Sequence, residues 1–176
     1  MSDNFSNEPM LEMYIFETSQ ELEQLEQAII TAEKAGGYSQ QAINEIFRFM
    51  HTIKGSSAMM LFNNISLLAH SIEDLFYFLR ENKPEQVDYS FLSDMVLEGV
   101  DFIKIEVEKI KSGDVTNGDA RSLIDKIEEF FFVFDAHRNF RILNKNVVVF
   151  DLLDVAEIDD IRKMYPKEKV GRQLFH

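Results

Sequence analysis

Five stretches of the chain place apolar residues at the period of an α-helix, and each is separated from the next by a few polar, glycine or proline residues. The first starts at Asn7 and Pro9, carries Leu11, Ile15, Leu22, Leu25 and Ile29 on one side, and ends at Gly36-Gly37. The second runs from a Ser39 cap through Ile43, Ile46, Phe47, Met50 and Ile53 to a point past Ser57. The third follows Asn63-Asn64 with Ile65, Leu68, Ile72, Leu75 and Leu79 on one face and stops before Pro84. The fourth opens at an Asp88 cap and reaches Gly113, and the fifth opens at Asp119 and runs through Leu123, Ile127, Phe130 and Phe134. Short connections return each helix beside its predecessor, so the pattern predicts an all-α, up-and-down four-helix bundle with a fifth helix added.

Charge divides the chain in two. Residues 1–137 hold 25 acidic and 10 basic side chains, whereas residues 138–176 hold 6 and 8. We therefore expect a helical domain over 1–137 and a linker or C-terminal extension over 138–176. In the extension, "FRILNKNVVVFDLL" suggests a short hairpin about Asn144-Lys145-Asn146, and "EIDDIRKMY" a short helix before Pro166. An acidic body with no basic stripe argues against nucleic acid and against an anionic membrane surface, both of which are bound largely through neutralised phosphates. The chain has no cysteine, which removes disulfides, thiolate metal sites and cysteine nucleophiles together. The polar start "MSDNFSNEPM" has the character of neither a signal nor a transit peptide, and a cytoplasmic protein is expected.

The second helix contains the stretch "FRFMHTIKGSSAMM". At 100° per residue His51 falls at the edge of the apolar stripe, about 40° beyond Phe47, and is expected to be half exposed. Gly55 lies one turn later on the same side, where glycine is disfavoured by about 1 kcal/mol relative to alanine, and leaves the imidazole uncovered. Lys54, three residues after His51, brings an ammonium near the same space. An accessible imidazole beside a cation suits a transferable anion such as a phosphoryl group. On the third helix His70 and Glu73 are expected beside a neighbouring helix. With the second and third helices antiparallel, Glu73 can accept a hydrogen bond from one ring nitrogen of His51 and leave the other as nucleophile. A half-buried surface histidine and a fraying Gly-Ser-Ser helix end account for the same residues without chemistry.

The stretches "IFRFMHTIKGSSAMM" and "LLAHSIEDLFYFLR", preceded by the acidic helix "YIFETSQELEQLEQAI" and followed by "FLSDMVLEGVDFIKIEVEKI", resemble the histidine-phosphotransfer domain of CheA-type chemotaxis kinases over residues 8–135. The resemblance implies that His51 is the phospho-acceptor, modified on Nε2, and that Glu73 bonds its Nδ1. It also implies that Lys54 and His70 tune its reactivity and that Gly55 is the family glycine. The implied partners are the ATP-binding domain of a CheA-type kinase and the aspartate-bearing receiver domain of a CheY-like or CheB-like response regulator. The receiver would be expected to dock around Arg48, Thr52 and Gly55. ATP and magnesium then belong to the partner domains, and no cofactor or metal is expected in this chain. No Asp-x-Gly-x-Gly nucleotide box occurs, and the 39 residues after position 137 are too few for kinase domains. The expectation is a non-catalytic phospho-accepting domain, either the N-terminal piece of such a kinase or a free-standing carrier.

Two rival functions remain. A metal-binding bundle would need His51, His70 and Glu73 to converge, and the paired Glu-x-x-His motifs of carboxylate-bridged dimetal bundles do not occur. A phosphorylation-independent interaction module would make the histidine incidental. The segment "EEFFFVF" is apolar around its whole circumference and predicts burial against the tail or another protein. Met59 and Met60 suggest loop and core packing, and His137 and His176 have no neighbouring constellation in the sequence.

Overall fold

The structure is a computed structural model that describes residues 8–84, 87–130, 140–144 and 147–150. Its helices are α1 Glu8–Lys34, α2 Gln40–Met59, α3 Asn63–Asn82, α4 Tyr89–Lys111 and α5 Arg121–Phe130. They coincide closely with the five periodic stretches. Several boundaries have a local cause. Ser39 accepts a hydrogen bond from the Ala42 amide and Asp88 one from the Phe91 amide, satisfying orphan donors at the starts of α2 and α4. Gly36 and Gly113, both at positive φ, close α1 and α4. The apolar periodicity of α1 buries Tyr14, Thr18, Leu22, Leu25, Ile29 and Ala32 on one face.

Helices α1 to α4 run alternately up and down around one core, and α5 lies across α3 and α4. Contacts between opposite helix ends fix the directions. Tyr14, early in α1, bonds Ser57, late in α2, at 2.9 Å, and Asn64 at the start of α3 bonds Glu106, late in α4, at 2.6 Å. Helices α3 and α4 approach so closely at Gly99 that a Cβ there would come within 2.8 Å of Ile72 Cδ1. The buried Glu106 carboxylate is satisfied by Asn64, Lys109 and the Gly118 amide, and so ties the α4–α5 connection to the start of α3. Burial would raise this carboxyl, but those bonds outweigh it and hold it below the ordinary carboxylate range.

The connection that matters most to the site is the turn between α2 and α3. Leu61 adopts φ 65°, a left-handed conformation that disfavours an L-residue by about 1–2 kcal/mol. It allows the Leu61 and Phe62 amides to reach back to Ala58 and Ser57 carbonyls at 3.1 and 2.8 Å. The reversal is therefore tight, and residues equally far from Phe62 in sequence meet at equal height. His51 and Glu73 are both eleven positions from Phe62, about 16 Å along their helices at 1.5 Å per residue.

Beyond the helices, β1 Phe140–Asn144 and β2 Val147–Phe150 form an antiparallel hairpin, paired Phe140 with Phe150 and Ile142 with Val148. It has an irregularity between Ile142 and Asn144. The expected hairpin is present in these strands. The expected helix before Pro166, the continuation of α5 to Phe134, and His137 and His176 lie outside the described residues. No helix among the described residues is long and apolar enough to cross a membrane.

Candidate functional site

The candidate site lies on the seam between α2 and α3. The imidazole of His51 donates from Nδ1 to Glu73 Oε1 at 2.7 Å, and the Lys54 ammonium lies 2.5 Å from Glu73 Oε2. The histidine side chain is 63% exposed whereas the carboxylate is 8% exposed, so one end of the contact faces solvent and the other is anchored inside. Oε2 has no well-angled hydrogen bond, and its compensation is the adjacent ammonium. Burial pushes the Glu73 carboxyl up, but the contacts with Lys54 and His51 outweigh burial and hold it below its usual range. Glu73 is therefore ionised at neutral pH and can only accept. The ring must carry its proton on Nδ1, which leaves the Nε2 lone pair free.

Three of the residues singled out from sequence thus meet directly: His51, Lys54 and Glu73. Lys54 is further fixed by its backbone, whose carbonyl accepts from the Ser66 hydroxyl at 3.1 Å across the α2–α3 turn. Gly55 is exposed, and a Cβ built there would meet nothing within 4 Å. Packing does not require the glycine, and the space beside the imidazole is open. Arg48 and Thr52 are exposed on the same helix, with the Thr52 hydroxyl turned back to donate to the Arg48 carbonyl at 3.0 Å.

Two expectations need correction. His51 is more exposed than the half-exposure read from its position on the helix. His70 does not lie in the seam beside Glu73. Its side chain is 54% exposed, its Nε2 faces Asp74 at 3.5 Å, and it lines a groove of about 530 Å³ with Leu67, Tyr77, Ile124 and Glu128. The reason is rotation: three residues along a helix leave an offset of about 60°, enough to carry His70 from the α2 side of α3 to the α5 side. His70 consequently does not converge with His51 and Glu73 as a metal site would need. Among the described residues no group of three or more His, Cys, Asp or Glu side chains is arranged to hold a metal ion.

Three neighbours escaped the sequence reading. Phe47, counted as a core-stripe residue, stacks on the His51 ring with centroids 6.1 Å apart and planes 21° apart. The Arg80 guanidinium lies 4.3 Å from the Phe47 ring centroid and 5.1 Å from that of Tyr77. Their signal was present: Phe47 is one turn before His51, and Tyr77 and Arg80 are one and two turns after Glu73.

A solvent-facing imidazole, oriented by a buried carboxylate on the next helix of a four-helix bundle, defines a histidine-presenting helical module. The chain belongs to the Hpt domain family, which it matches over residues 9–112. It is 32% identical over 132 residues to the chemotaxis protein CheA of Treponema pallidum, covering 74% of this chain and 16% of that protein. The corresponding protein of Halobacterium salinarum is 32% identical over 125 residues, covering 67% of this chain and 18% of the relative. The sensor histidine kinase CheAY of Helicobacter pylori is 29% identical over 122 residues, covering 68% and 15%. The chain thus matches less than a fifth of the length of these relatives. Its fold is that of the phosphorylated P1 domain of CheA3 solved in complex with CheY6 from R. sphaeroides. The TM-score is 0.59, with 23% identity over 68% of this chain and 92% of that one.

Proposed function

We propose that the chain is a phosphoryl carrier of chemotaxis-type two-component signalling. The observation that carries this is the 2.7 Å bond from His51 Nδ1 to the buried Glu73, which turns an unblocked Nε2 toward solvent. In the first step the Nε2 lone pair attacks the γ-phosphorus of ATP held by a CheA-type kinase domain. The N–P bond forms as the bond to the β,γ-bridging oxygen breaks, and ADP leaves. In the second, an aspartate oxygen of a receiver domain attacks the same phosphorus, and the N–P electron pair returns to the ring. Glu73 stabilises the positive charge that develops on the imidazole and keeps the proton on Nδ1 throughout. Lys54 neutralises Glu73 and stands beside the incoming phosphoryl oxygens; His70, which faces Asp74, tunes the site only from a distance.

Nucleotide and magnesium belong to the kinase and receiver domains on this reading, and this chain accepts and donates without hydrolysing ATP. Residues 1–137 form the carrier domain and 138–176 a linker toward further domains or a docking site. Work with ATP and a regulator implies the cytoplasm. Support comes from the CheA relatives and from the fold shared with a phosphorylated domain solved with a CheY protein. The test is labelling by a CheA-type kinase domain and radioactive ATP. Acid-labile phosphate is expected on the wild type and absent from His51→Gln, and equal labelling of the two proteins would refute the assignment.

A further inference from the structure

The chain carries 31 acidic residues, yet from Ile46 to Ile72 there is none. This interval covers the exposed side of α2 from one turn before His51 to its end, the tight turn and the first half of α3. Glu73, the carboxylate that follows it, is buried and neutralised by Lys54. The acid-free stretch thus belongs to α2 and the turn, and the exposed acids of α3 are Asp74, which faces His70, and Glu81, beside Arg80. Two arginines stand at the upper border of the ground around the imidazole. Arg48 is exposed one turn before His51 and has no ion-pair or hydrogen-bonding partner for its guanidinium among the described residues. Arg80, 29% exposed, lies against Phe47 and Tyr77 and gives Nε to Glu81 at 2.8 Å, which leaves both terminal amino groups without a partner among the described residues.

An arginine laid on two rings loses little further freedom when it forms a new pair, because the stacking has already restricted its rotamers. Phe47 joins it physically to the reacting histidine, since the same ring touches both. A receiver domain must bring its acceptor aspartate to Nε2. The carboxylates that hold magnesium beside that aspartate make its mouth acidic. An acidic mouth approaching an acidic domain is repelled least where α2 carries no acid and arginines offer unpartnered amino groups.

Building on the carrier proposal, we infer that this acid-free face is the receiver-docking surface and that Arg80, preset by Phe47 and Tyr77, is a specificity-determining residue that pairs with a carboxylate on the rim of the receiver's mouth. Charged rim residues act mainly on association rate and salt dependence. Charge complementarity favours a receiver over a second copy of this chain, which would bring its own acidic body.

The experiment titrates CheY-type and CheB-type receivers against the whole chain in two ways: transfer from phosphorylated protein, and direct binding to unphosphorylated protein. Arg80→Glu is compared with Lys126→Glu, the same charge change on α5, where Lys126 pairs with Glu98. Arg80→Glu is expected to raise the half-saturating receiver concentration about tenfold in both assays and to flatten its salt dependence, with Arg80→Lys intermediate and Lys126→Glu near wild type. Equal effects of Arg80→Glu and Lys126→Glu, or no effect of either, would overturn the inference. The binding arm needs no phosphate, so it tests docking even if His51→Gln labels normally and the carrier proposal fails.

Discussion

Replacing Glu73 by glutamine tests whether the carboxylate's charge, rather than its shape, prepares His51 for reaction. The side chain keeps its volume in a position 8% exposed and keeps an oxygen 2.7 Å from Nδ1, so little repacking is needed. What changes is electrostatic. A hydrogen bond to a charged partner contributes about 1.5–3 kcal/mol and a neutral one about 0.5–1.5 kcal/mol. About 1–1.5 kcal/mol of support for the imidazole charge is therefore lost as Nε2 attacks, and phosphorylation by a CheA-type kinase domain should slow about tenfold. The amide also places its NH2 toward Lys54, or flips and makes Nδ1 an acceptor, which moves the ring proton to Nε2 and removes the nucleophile. Glu73→Ala removes the acceptor entirely, frees both tautomers and strands Lys54, and is expected to slow the reaction about a hundredfold. Single-turnover labelling gives the rates, imidazole 15N shifts give the tautomer, and circular dichroism with thermal melting checks the fold. A folded Glu73→Ala protein with wild-type rate and an unchanged Nδ1–H tautomer would refute the argument.

Gly55→Leu should raise helix stability by up to about 1 kcal/mol, because a poor helix former is replaced where nothing obstructs a side chain. The same substitution should slow transfer to a receiver at least about tenfold by covering the imidazole, and normal transfer would show that the glycine serves another purpose. Acid titration separates two carboxylates of opposite sign. Glu21 is pushed up to about 7 by burial and by Glu17, so the folded state holds an extra proton between about pH 4.5 and 7 and the destabilising charge is fully present above that range. Glu21→Gln should then stabilise the fold by about 1 kcal/mol at pH 8, a value reduced for partial solvent screening, with the gain vanishing below about pH 4.5; a gain independent of pH in denaturant melts would be inconsistent with this. Glu73, held low, works the other way: its stabilisation is present above its ordinary value of 4.5 and fades as pH falls through its lower folded value.

Helices were the most legible part of the chain, because their signals are local. Ser39 and Asp88 cap, Gly36 and Gly113 close, and the apolar period marks the buried face, each within a few residues. The His51–Glu73 contact was legible for a different reason. Once the α2–α3 connection is known to be tight, equal spacing from Phe62 puts the two side chains level, and Phe47 and Tyr77, each fifteen residues from Phe62, are level too. The fate of His70 and Arg80 required rotation as well as height. An offset of about 60° separates a residue in the α2–α3 seam from one in the α3–α5 groove, and apolar periodicity does not resolve which neighbour each edge of α3 meets. The tight turn itself rests on Leu61 in a conformation usually left to glycine, so no composition signal marked it.

His51, the proposed reactive histidine, its carboxylate and its lysine all fall between positions 51 and 73, on one continuous hairpin whose outer side holds the imidazole. The remaining helices supply the wall it leans on. Chemistry and scaffold are therefore separable along the chain. On the carrier reading proposed above, changes on the outer side would retarget the chain to a new regulator while the shared core stays as it is. What the imidazole asks of the rest of the bundle is a wall that keeps the two arms level, and the core shared by all five helices supplies it.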